Sequence, residues 1–112
     1  MLVIPTKPVA NQSLGVVLAG QPCTINVYSK GQFDYAGLYV DLYVNNGLIL
    51  GGALGVLGVR IVRSAYLGFV GDLAFFDTNT QTPANPLFSG LGSRWFLAWL
   101  DPVLDVGIAP LN

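Results

Sequence analysis

The chain has 112 residues and a net charge of −1, with 53% hydrophobic and only 10% charged residues, where ordinary soluble domains carry about a quarter charged. Its length predicts a single domain over 1–112, and five cationic with six anionic side chains are too few to cover a free monomer, so extensive burial between subunits, or insertion in a membrane, would explain the deficit. Lys7, Lys30, Arg60, Arg63 and Arg94 are scattered and make no basic stripe of the kind that binds nucleic acid.

In chain order, Met1-Leu2-Val3-Ile4-Pro5 has no basic leader and meets a proline before an apolar run develops, so no secretory signal is expected. Residues 1–9 and 102–112 read as extended arms flanking a core of about 12–101. Leu14, Val16 and Leu18 alternate in a first strand closed by Gly20-Gln21-Pro22. A second, over 24–30, alternates Ile25 and Val27 against Thr24, Asn26 and Tyr28. The cleanest strand follows, with Leu38, Val40, Leu42 and Val44 on one face and Tyr39, Asp41, Tyr43 and Asn45 on the other. Asn46-Gly47 predicts a type I′ hairpin turn, because both residue types tolerate positive φ. Gly47→Val is then expected to cost about 1 kcal/mol or more. The return strand through Leu48-Ile49-Leu50 is punctuated by Gly51, Gly52, Gly55 and Gly58, as at bulges or bends.

The stretch 42–59 carries no charge, but Asn45-Asn46-Gly47 interrupts it and leaves too few apolar residues to span a membrane as a helix. Gly51 and Gly55 form a Gly-x-x-x-Gly match, outweighed by the strand alternation upstream. Further strands are predicted over 56–63, 66–76 and 94–100. In the last two both faces are largely apolar: Leu67, Phe69, Gly71, Leu73 and Phe75 oppose Tyr66, Gly68, Val70, Asp72, Ala74 and Phe76, while Trp95, Leu97 and Trp99 oppose Phe96, Ala98 and Leu100. Residues 77–93 make the longest irregular loop. No helix of ordinary length is predicted. The fold class is therefore all-β, a small antiparallel barrel or sandwich of about six to seven short strands.

Catalytic chemistry is sparse. With no histidine, no glutamate and one cysteine, Ser/His/Asp and Cys/His sites, intrachain disulfides and His/Cys zinc sites are excluded. Cys23 reads as a buried apolar residue. Asp41 and Asp72 read as partners of an arginine or a backbone amide, or as facing a solvated channel, before they read as a hydrolytic pair, with Arg63 and Arg94 the candidate partners for Asp72. Asp101 and Asp105 lie in the tail with no fixed separation predicted. Gly90-Leu91-Gly92-Ser93-Arg94 lacks both the Gly-Lys-Ser/Thr ending and the following helix of a phosphate loop, and reads as a turn. No catalytic residue, cofactor or metal is expected. The candidate functional residues are interface aromatics: Tyr39, Tyr43, Tyr66, Phe76, Trp95, Phe96 and Trp99.

The segment 63–77, together with Leu87-Phe88-Ser89-Gly90-Leu91-Gly92-Ser93-Arg94-Trp95-Phe96-Leu97 and Tyr39-Val40-Asp41-Leu42-Tyr43-Val44, resembles the baseplate plug proteins of contractile-tailed bacteriophages over about residues 16–100. The resemblance implies a non-enzymatic structural protein at the centre of a virion tail baseplate. Tail-tube and hub or spike proteins would be its neighbours, and a threefold or sixfold ring of copies its assembly, with no nucleic-acid partner and no membrane span. The alternative from another class is a barrel that binds a small ligand or oligosaccharide on an aromatic face. It accounts for the tyrosines and tryptophans but not for the missing charge.

Overall fold

Alternating apolar residues need a second layer to bury them, and the chain supplies two. The computed structural model describes residues 1–30, 37–63 and 68–105. Its strands are β1 (Leu2–Ile4), β2 (Asn11–Leu18), β3 (Gln21–Lys30), β4 (Gly37–Val44), β5 (Gly47–Leu54), β6 (Asp72–Asp77) and β7 (Trp95–Leu100). They form two antiparallel sheets, ordered β2-β3-β4-β5 and β1-β7-β6. The sheets are open and layered, so the sandwich holds and the barrel does not. Ile25, Val27, Leu38, Val40 and Leu42 from one sheet and Leu73, Phe75, Trp95 and Leu97 from the other share one buried core. Among the described residues the only helical element is a 3₁₀ turn at Phe88–Gly90.

The large sheet consists of sequential hairpins. Leu18 pairs with Gln21 around Ala19 and Gly20, which have φ of 51° and 75°. Val44 pairs with Gly47, so the two turn residues are Asn45 and Asn46, at φ 50° and 67°. The I′ turn thus sits one residue earlier than the Asn46-Gly47 expectation, and Gly47 is a strand residue outside the positive-φ region. The expected cost moves with it. Asn46→Val should destabilise the protein by about 1 kcal/mol or more, whereas Gly47→Val should do so much less. Urea denaturation of the two variants separates the registers.

Three other expectations change. Residues 56–63 form no strand: Gly58 and Arg63 adopt φ of 66° and 65°, which breaks extended backbone. The segment still follows β6, through a parallel bridge from Leu57 to Phe75. The Gly58 N–H donates to the Phe75 carbonyl and the Ile61 N–H to that of Leu73. The 66–76 strand shortens to β6. Gly71 has φ of 90°, and a Cβ there would strike the Trp99 ring and the Leu100 carbonyl, so the chain bends before Asp72; Ser64, Ala65, Tyr66 and Leu67 lie outside the described residues. At the N-terminus, Leu2–Ile4 pairs with β7, placing part of the 1–9 arm inside the protein's own sheet.

Candidate assembly interface

Each aspartate in the described residues holds backbone in place. In β5 two register shifts relative to β4 create bulges, and Gly52, at φ 66°, turns its N–H onto the Asp41 carboxylate at 2.7 Å. A residue with a Cβ would resist that φ, which is why a glycine marks the bulge. Asp41 also accepts from the Tyr28 hydroxyl at 2.9 Å and from Asn26 at 3.5 Å. Partial burial opposes ionisation of Asp41, but these bonds and the charge of Lys30 outweigh it and hold its pKa below the usual value. Burial, reinforced by the Asp41 charge, pushes the Tyr28 phenol up.

Asp72 takes the Val62, Arg63 and Leu73 amides at 2.7, 2.8 and 2.8 Å. The expected pairing with an arginine side chain gives way here. Arg63 offers its backbone N–H, and its guanidinium donates to the Arg60 carbonyl. Arg94 pairs instead with Asp77, in two bonds of 2.9 Å. Asp101 caps the Val103 and Leu104 amides, and Asp105 accepts the Asp101 N–H. Their spacing is therefore fixed by one tight turn, with the Met1 amino group 2.6 Å from Asp105.

Asp77 and Arg94 clamp the long loop. The Asp77 carboxylate also receives the Asn79 and Ala84 amides, Arg94 donates to the Thr82 carbonyl, and its guanidinium stacks 4.4 Å from the Trp95 ring centre. Arg94, with help from those amides, holds the Asp77 pKa far below the ordinary carboxylate range. A depressed folded-state pKa gives stability that is present above the unfolded value near 4 and is lost as pH falls through the folded value. Stability should therefore drop below about pH 4. Asp77→Asn should flatten that slope, as read from urea midpoints across an acid series.

The seven candidate aromatics divide by position. Trp95 is only 4% exposed and belongs to the core, where its indole N–H donates to the Ala84 carbonyl. That placement removes it from the outward surface. Trp99 is half-buried on the same side of β7, packs against the core and donates to the Val70 carbonyl. Phe76 and Phe96 face each other across β6 and β7 on the opposite side. Beside them Ala74 and Leu100 are fully buried in a second, small apolar cluster that Phe76 joins. Tyr39 and Tyr43 lie on the outer face of the large sheet, opposite Leu54 and Leu48, both of which are exposed. Tyr66 lies outside the described residues.

Sequence reading missed Leu48 and Leu54 as surface residues, since the β5 bulges reset which side chains face outward. It also missed Val103 and Leu104, exposed by 77% and 80%. Their place beside Pro102 was the available signal. Cys23 is free and buried, as expected, and burial raises its pKa. Among the described residues no helix is long and apolar enough to cross a membrane.

Two partly exposed surfaces result: the half-buried Phe76–Phe96 pair on the small sheet, and half-buried Tyr39 and Tyr43 with exposed Leu48 and Leu54 on the large one. Residues 1–102 match the protein family described as cyanophage baseplate Pam3 plug gp18. No curated protein matches the chain.

Proposed function

The chain belongs to this baseplate plug family, and from that premise we propose that it is a non-catalytic structural subunit acting through subunit packing near the centre of the baseplate. Its location is the tail baseplate of the virion. The observation that carries the reading is the family match over 1–102, which spans both sheets. The finer assignment is to the hub region between tail tube and spike, with copies closed into a threefold or sixfold ring about the tail axis and tube and hub or spike proteins as neighbours.

Two physical features support packing as the mode of action. Few charges protect the surface, and the outward Phe76, Phe96, Tyr39 and Tyr43 are of the residue types enriched at interfaces. The non-catalytic assignment draws on the aspartates, since Asp41, Asp72, Asp77, Asp101 and Asp105 each accept at least one backbone amide. A carboxylate committed to shaping its own backbone is a poor proton carrier for a substrate. The oligosaccharide alternative loses ground on the large sheet: Tyr28 and Tyr39 stack on each other, and the Lys30 ammonium sits 5.7 and 5.5 Å from their ring centres.

The test is deletion of the chain from a phage that encodes it, with particles imaged by cryo-electron microscopy. Tails should lack a complete baseplate centre, and adding the protein back should restore it. Intact baseplates without the chain would overturn the structural role. Turnover of peptidoglycan, polysaccharide or peptide that disappears in Asp41→Asn or Asp72→Asn would overturn the non-catalytic one.

A further inference from the structure

The two edges of the large sheet are built differently. β5 is broken by two register shifts, a device that discourages pairing with another chain. β2 has none: all eight residues, Asn11–Leu18, run in unbroken register with β3, and they include no charged residue and no proline. Among the described residues, the usual protections of an edge strand are missing here.

The hydrogen-bond phase of that edge follows from one contact. The Ser29 N–H donates to the Ala10 carbonyl, and Ala10 stands opposite Ser29 in the register that continues as Asn11 opposite Tyr28. Antiparallel pairs alternate between bonded and non-bonded, so Gln12, Leu14, Val16 and Leu18 bond to β3. The N–H and C=O groups of Asn11, Ser13, Gly15 and Val17 therefore point away from it. Those four residues are exposed, and a Cβ at Gly15 would meet nothing within 4 Å.

We propose that β2 pairs antiparallel with β2 of a second copy of this chain, continuing the large sheet across the two molecules. The free groups dictate the register. Asn11 faces Val17 of the other copy, Ser13 faces Gly15, and Leu14 faces its own counterpart. Every free N–H and C=O then finds a partner, and no charged side chain faces another. The set is self-complementary, as a two-fold contact requires. Three such pairs repeated about a threefold axis make a closed set of six chains. The pairing is a property of the edge itself and is tested without any baseplate component.

Light scattering on the purified full-length chain, combined with amide hydrogen exchange by NMR, is the experiment. The expected result is a species of twice the chain mass at high concentration, in which the Asn11, Ser13, Gly15 and Val17 amides are protected. On dilution that protection should vanish while the Gln12, Leu14 and Val16 amides stay protected. Ser13→Pro removes an outward N–H and leaves the bonds to β3 intact. It should weaken the dimer at least about tenfold while the fold survives. A chain that stays monomeric at NMR concentrations, or an oligomer whose four outward amides exchange freely, overturns the proposal. So does a dimer that a folded Ser13→Pro variant leaves unweakened. The wild-type exchange pattern decides the matter even if the variant fails to fold.

Discussion

Trp95→Ala should destabilise the domain by about 3–5 kcal/mol, the usual range for truncating a large buried aromatic. The indole fills the core between the sheets at 4% exposure. Its loss would also strip the Ala84 carbonyl of its donor and Arg94 of its stacking surface, loosening the clamped loop. Phe96→Ala, one residue on and facing the other way, should leave the unfolding transition nearly in place. It should instead weaken incorporation into baseplates, since an aromatic at an interface centre commonly contributes about 2 kcal/mol or more of binding. Calorimetry on the isolated proteins and a particle incorporation assay separate the two effects. If Trp95→Ala unfolds at the wild-type temperature, the core assignment of that face is wrong. If Phe96→Ala assembles normally, the small sheet's outer face is not a contact surface.

Asp72→Ala carries the second large expected effect, about 3 kcal/mol or more, through polar groups left without partners rather than through a cavity. The carboxylate gathers three amides at the point where 61–63 runs beside β6, with Oδ1 serving Val62 and Leu73 and Oδ2 serving Arg63. An orphaned buried donor costs about 1–3 kcal/mol. Asp72→Asn keeps one acceptor oxygen but turns an NH₂ toward the Arg63 amide, so its loss should be smaller but measurable. Denaturant unfolding that ranks alanine worst, asparagine next and wild type best supports this account. Equal stability of alanine and wild type refutes it.

The two variants illustrate what was legible in the sequence. Period-2 alternation located β2, β3 and β4 because each has one face buried against the other sheet. The Asn and Gly residues near 46 located the hairpin but not its register, because two adjacent pairs had suitable chemistry and only cross-strand pairing chooses between them. The 66–76 and 56–63 strands failed at Gly71 and Gly58, where positive φ overrides apolar periodicity. A run of apolar side chains does not disclose backbone dihedrals. Among the interface candidates, both faces of β7 were apolar, so alternation alone had no means of sending Trp95 inward and Phe96 outward. The carboxylates were hardest to place. Asp72 and Asp77 look alike in sequence, and which one meets Arg94 depends on Asp77 lying directly opposite Trp95 in the β6–β7 register.

The pairing of β1 with β7 has a consequence for the nascent chain. Leu2 lies opposite Trp99 and Ile4 opposite Leu97, so β1 has no strand to pair with until β7 has left the ribosome. Joining such distant residues carries a loop-closure penalty that neighbouring hairpins do not bear. The large sheet needs nothing beyond Leu54 for its own ladder, whereas the small sheet has no centre until β7 is synthesised. During that interval the inner face of the large sheet, with Ile25, Val27, Val40 and Leu42, has no layer of its own to cover it. Translation thus passes through a stage in which half of the sandwich is complete and open to any neighbouring hydrophobic surface.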